Sequence, residues 1–161
     1  MNIFNHYREQ ARMSDLAPVL SKKHIPKSLN KAVRYLIDNS SAEYLKAVRE
    51  ASDPMDIMPH HGYGQYLRNN WGLWRQSPLA QWFIKRGVNH PDDMFAIIND
   101  FFYARVRGES EPNLENRVAA YVKYWDTLEN AMNEKSGEVD LEVRGKKIKL
   151  SFGVLHFPQN S

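Results

Sequence analysis

The chain has 161 residues, 42% of them hydrophobic and 12% aromatic, with a formal net charge of +3. That composition suits one folded domain with an ordinary core, or a domain with an appendage, and argues against disorder. The absence of cysteine removes disulfides, thiolate zinc sites and cysteine nucleophiles, and the mild positive charge permits contact with nucleic acid without demanding it.

No apolar run approaches the ~20 residues that span a bilayer. The opening MNIFNHYREQARMSDLAPVL lacks the basic-then-apolar order of a secretory signal. The expectation is a soluble cytoplasmic protein without a membrane partner, since a chain lacking cysteine fits a reducing compartment. Residues 1–24 form an N-terminal segment, with a short helix expected over 2–13 on Ile3, Phe4, Tyr7 and Ala11. Ser28 caps a helix whose apolar positions are Leu29, Ala32, Val33, Leu36 and Ile37, and Ser41 starts another on Tyr44, Leu45 and Val48. Two prolines between Asp53 and Pro59, with little periodicity, predict a loop.

His60 to Met94 is the most heavily punctuated stretch. Tyr63, Leu67, Trp71 and Trp74 lie four, four and three residues apart, the seam of an amphipathic helix. Gly72 within that seam costs roughly 1 kcal/mol against alanine, so a close approach of backbone or ligand is expected there. Ser77-Pro78 is a capped helix start with Leu79, Trp82 and Phe83 on its apolar face, and Gly87 is its stop. His90-Pro91-Asp92-Asp93 opens a further helix, proline early and two carboxylates at the positive end. Its wide apolar face runs over Met94, Ile97, Ile98, Phe101 and Phe102 to Gly108.

Leu114, Val118, Tyr121, Trp125, Leu128 and Met132 alternate steps of four and three. This reads as one face of a bundle helix, because a coiled coil needs more heptads. At Val139 the period changes to two. Val139, Leu141, Val143 and then Ile148, Leu150, Phe152 alternate with charged residues around Arg144-Gly145, a hairpin pattern. The hairpin is expected to dock Val139, Leu141, Ile148 and Leu150 on the helices, since two strands alone are marginal in water.

The pattern R-N-N-W-G-L-W at residues 68–74, a serine-capped helix, and H-P-D-D-M at 90–94 together resemble an uncharacterised bacterial domain family of unknown function. Ile25-Pro26-Lys27-Ser28-Leu29-Asn30-Lys31-Ala32-Val33 is similar to that family's opening. The resemblance covers roughly residues 25–108. It implies a domain boundary and no mechanism.

The fold expected is mainly α: an irregular bundle of six or seven short helices over residues 25–137, with a C-terminal β-hairpin and tail at 138–161. Two groups of residues are candidate sites. Arg68, Asn69 and Asn70 place donors beside Trp71 and Trp74, a polar-aromatic pocket for a ligand or a partner's side chain, although the tryptophans also read as core. His60, His61, His90, Asp92 and Asp93 are legitimate ligand types for zinc, manganese or iron. No H-E-x-x-H or similar spacing is present, and Asp92 and Asp93 serve a helix dipole equally well, so no metal or other cofactor is expected. Arg144, Lys147 and Lys149 on the outer hairpin face are a weak phosphate footprint. No nucleophile elbow or phosphate loop occurs, and no catalytic residue is assigned. The leading expectation is therefore a non-enzymatic binding module working through protein–protein contact, such as a regulator, immunity protein or inhibitor. A metal-dependent hydrolase or nuclease on the histidine–aspartate cluster is second, and a nucleic-acid accessory protein is third.

Overall fold

Serine, aspartate and proline set most helix starts in this computed structural model, which describes residues 3–133, 138–143 and 146–151, with side chains for residue 8 and residues 11–130. The chain divides into two compact units, residues 1–113 and 114–161. In the first, α1 spans Ile3–Leu16. The Ser28 hydroxyl accepts from Lys31 N–H to start α2 (Leu29–Asp38), and Ser41 accepts from Tyr44 N–H to start α3 (Ala42–Glu50). Asp53 accepts from Met55 N–H and begins α4 (Pro54–Ile57). After α5 (Tyr63–Asn70) and a 3-10 turn at Leu73–Arg75, Ser77 accepts from Ala80 N–H at the head of α6 (Pro78–Ile84). The last helix of the unit, α7 (Pro91–Arg107), is capped by the His90 ring and closed by Gly108 at φ 67°.

The core of the first unit forms around α7, which contacts α2, α3, α4, α5 and α6. Met94, Phe95, Ile97, Ile98 and Phe102 on α7 are buried against Leu36, Tyr44, Ile57, Leu67 and Phe83 from the surrounding helices. Polar side chains of α7 tie down the irregular segment between α3 and α4. Asn99 Nδ2 donates to the Pro54 carbonyl at 2.9 Å and Tyr103 Oη to the Ala51 carbonyl at 2.7 Å. The Pro54 carbonyl also accepts from Met58 N–H and the Ala51 carbonyl from Arg107 Nη1, so these bonds add a second partner that anchors the junction of α3 and α4 to α7. The short helix α4 is a departure from the expected loop: the aspartate cap and proline at the first position suffice for one turn.

The second unit comprises α8 (Leu114–Asn133), β1 (Glu138–Val143) and β2 (Lys146–Ser151). The strands pair antiparallel, with Leu141 opposite Ile148 and Val139 opposite Leu150, and α8 contacts β1.

The expected fold class requires correction. The helical body, residues 1–113, contains no strand among its described residues, and the two strands fall in the other compact unit together with α8. Among the described residues there are eight α-helices, the N-terminal one and seven over residues 25–137, but α7 and α8, with 17 and 20 residues, are not short. The division into compact units falls at Asn113, ahead of the periodic helix, so α8 groups with the strands that follow it. Side chains of Val139, Leu141, Ile148 and Leu150 lie outside the described residues, and so does the docking face assigned to them. On α1, Ala11 is exposed, while Met13, Ala17 and Leu20 at its end and beyond are buried; the side chains of Ile3, Phe4 and Tyr7 lie outside the described residues. Among the described residues no helix is long and apolar enough to cross a membrane.

Candidate functional site

The helical seam Tyr63–Leu67–Trp71–Trp74 breaks after Trp71. Helix α5 ends at Asn70, Gly72 turns left-handed at φ 61°, and Leu73–Arg75 continue as one 3-10 turn. A Cβ at position 72 would approach Ser77 Cβ to 3.3 Å, and the left-handed backbone disfavours any side chain there. Gln76 leaves the turn left-handed as well, at φ 53°, the one positive-φ non-glycine among the described residues. That conformation costs a non-glycine residue on the order of 1 kcal/mol. The result is a tight display loop. Trp71 and Leu73 point inward, at 0% and 3% exposure, and Trp74 between the two left-handed residues stands 54% exposed. Trp74 is thus corrected from a core helix position to a surface one.

The exposed indole meets the start of α7. Its ring lies edge-on to His90, centroids 5.7 Å apart. His90 Nδ1 accepts from the Asp92 amide at 3.3 Å, which makes this histidine the helix cap. Behind it, the Asp92 carboxylate is shared. Its Oδ1 lies 3.0 Å from Arg68 Nε and 3.8 Å from His60 Nε2, and its Oδ2 lies 3.6 Å from His90 Nδ1. Arg68 and Asp92 form a close ion pair without an aligned hydrogen bond, since Nε and Oδ1 both lack a hydrogen-bond partner despite the short distance. The guanidinium also donates from Nη2 to the His60 carbonyl at 3.1 Å and sits over the Phe95 ring, 5.3 Å from its centroid. Arg68 is 5% exposed and Asp92 34%.

The two candidate groups that the sequence keeps apart therefore meet through one ion pair. Arg68, Trp74, His60, His90 and Asp92 come together. His61 packs edge-on to His60 at 4.8 Å but is exposed, and Asp93 is half-buried on the same first turn of α7. Asn69 is exposed, and Asn70 donates back to the Tyr66 carbonyl of its own helix at 2.8 Å. Trp71 is core, edge-on to Tyr35 at 6.0 Å. Arg144 and the side chains of Lys147 and Lys149 lie outside the described residues. Phe95 is the site residue that sequence reasoning passes over. Only its place three residues after Asp92 on the apolar helix face signals it, together with Gly64, where a Cβ would stand 2.6 Å from Phe95 Cζ.

Chemically the cluster is a neutralised pair under an aromatic and imidazole surface. A divalent ion at Asp92 would have to share a carboxylate whose Oδ1 already lies 3.0 Å from Arg68 Nε, and two cations so close repel each other strongly. Among the described residues no group of three or more histidine, aspartate or glutamate side chains is arranged to hold a metal ion. Burial lowers the His60 ring from its ordinary value, with Arg68, His61 and His90 acting in the same direction and Asp92 opposing them. The folded protein therefore takes up a proton at His60 less readily than the unfolded chain does. Stability from this group is full above about pH 6.5 and is lost as the pH falls through the folded value. Thermal melts from pH 7.5 to 5 should show a decline that His60→Gln makes shallower; an unchanged slope would remove His60 as its source.

A family model described as a domain of unknown function, DUF6794, matches residues 25–105. No curated protein and no solved structure matches the chain.

Proposed function

The chain belongs to the DUF6794 family of unknown function, and from its own surface we propose that it is a small binding module acting through protein–protein contact, as a regulator, immunity protein or inhibitor does. The observation that carries this reading is Trp74. An indole 54% exposed would ordinarily be left on a flexible loop or replaced, yet here a 3-10 turn between two left-handed residues holds it in place. Strain kept in a display loop points to use of what is displayed. Tryptophan is also among the residues that dominate interface energetics when they enter a partner's pocket. The short turn and the His90 ring beside it restrict the indole, which lowers the entropy lost on binding. Arg75 on the same turn and the half-exposed His60, His90 and Asp92 supply a polar border.

The place of action in this reading is the cytoplasm, which the absence of cysteine suits. An enzymatic role has less support, because the one clustered carboxylate is held by a guanidinium at 3.0 Å and is poorly placed to act as a base.

Affinity capture from the source organism, run in parallel with wild-type protein and Trp74→Ala, tests the reading. The variant should keep the parent melting temperature, since the indole is largely in water, yet bind the captured protein at least about tenfold more weakly. Equal capture by both proteins would remove Trp74 as the contact.

A further inference from the structure

Away from the Trp74 surface, a cleft of about 350 Å³ opens between the end of α1 and the start of α5, lined by Ser14, Asp15, Val19, Gly62, Tyr63 and Tyr66 among others. That volume is at the lower end of the roughly 300–1,000 Å³ range of small-ligand sites. Four features of its wall agree in electrostatic sign. The first is the C-terminus of α1, a 14-residue helix without a basic residue in its last turn, so that its partial negative charge is not offset by its own side chains. The second is Asp15, an exposed carboxylate placed at that same negative end, where a helix ordinarily favours a cation. It makes no ion pair among the described residues. The third and fourth are the rings of Tyr63 and Tyr66, tilted at 46° with centroids 5.6 Å apart. Aromatic rings attract cations through their quadrupoles.

The two rings are also fixed. Tyr63 Oη donates to the Pro18 carbonyl at 2.6 Å, and Tyr66 Oη accepts from the Leu20 amide at 3.1 Å. Both hydroxyls are thereby engaged at the segment that follows α1. Gly62 keeps the base of the cleft open, since a Cβ there would stand 2.8 Å from Ser14 Oγ. Val19, 81% exposed, adds an apolar wall.

We propose that this cleft binds an alkylammonium group, with the ammonium between Asp15 and the tyrosine rings and the alkyl chain along Val19. A metal ion suits it poorly, because a hard cation is held best by several charged oxygen ligands, and Asp15 is the one carboxylate of a lining that is otherwise mostly aromatic and aliphatic. An organic cation matches both the charge and the apolar walls. This site is independent of the Trp74 contact.

The test titrates n-butylammonium into the full-length ¹⁵N-labelled protein, with n-butanol as the neutral isostere. The amides of Asp15, Val19, Gly62 and Tyr66 should shift saturably with butylammonium, and Asp15→Asn should weaken that binding about tenfold. Asp15 is exposed, so the variant should fold as the parent does, and an unchanged amide spectrum outside the cleft verifies this. Butanol shifting the same amides equally well, Asp15→Asn binding butylammonium as the parent does, or the absence of saturable shifts would each overturn the proposal.

Discussion

Replacing Trp71 by alanine should cost about 3–5 kcal/mol of stability, the range for a large aromatic removed from a core. Its side chain is 0% exposed, and it closes α5 immediately before the left-handed turn at Gly72. Its neighbour Tyr35 belongs to α2, so the loss would loosen α2 against α5 as well as open a cavity. One detail separates the contribution of its volume from that of its polar atom. Trp71 Nε1 is buried and finds no hydrogen-bond acceptor among the described residues. A buried donor without a partner is itself destabilising, so Trp71→Phe should cost distinctly less than its lost volume suggests. Chemical denaturation of the two variants gives the comparison. A Trp71→Ala protein that unfolds at the parent's denaturant midpoint would mean that the indole is not core.

Trp71 and Trp74 show what a sequence can and cannot convey here. Both satisfy helical spacing from Tyr63, and periodicity alone places them on one buried face. The fate of Trp74 depends on Gly72 taking a positive φ and on Gln76 doing the same. Glutamine carries no sequence signal for that conformation. Helix starts were more legible, because Ser28, Ser41 and Ser77 act within their own turn. Asp53-Pro54 carried the same local signal, but the two prolines bracketing a non-periodic stretch favoured a loop over a single-turn helix. The extent of each compact unit was less legible. The steps of four and three from Leu114 to Leu128 are real, yet no described side chain on α8 is fully buried. Periodicity reports an amphipathic face and is silent about what that face meets.

The same distinction applies to the site. Arg68 with its asparagine neighbours and Asp92 with its histidines were each visible as a chemical group. Their meeting was not, since it needs α5 and the head of α7 to cross, and the crossing is set by Phe95 packing over Gly64. A glycine in the first turn of a short helix and a phenylalanine on an apolar face are unremarkable apart. Only their contact explains why a guanidinium lies buried over an aromatic ring with a carboxylate beside it.

Asp92→Ala should destabilise the protein by about 3 kcal/mol, the low end of what breaking a buried ion pair costs. The low end applies because Asp92 is 34% exposed and part of its charge is already screened by water, whereas Arg68 is 5% exposed. Burial pushes the Arg68 guanidinium below its ordinary range, and the Asp92 carboxylate is what opposes that shift. With the carboxylate gone, the guanidinium keeps its bond to the His60 carbonyl and its place over Phe95, but its charge is buried without a counter-ion. The head of α7 also loses one of two acidic residues in its first turn, a loss of about 0.3–1 kcal/mol included in the total. Arg68→Met in the same protein removes the stranded charge and keeps most of the aliphatic packing. The double variant should therefore be more stable than Asp92→Ala alone, even though it carries one more substitution. Urea unfolding of the parent, both single variants and the double variant supplies the coupling energy. A double variant whose loss equals the sum of the single losses would show that the two charges act independently, and that Arg68 is held in place by Phe95 and the His60 carbonyl rather than by Asp92.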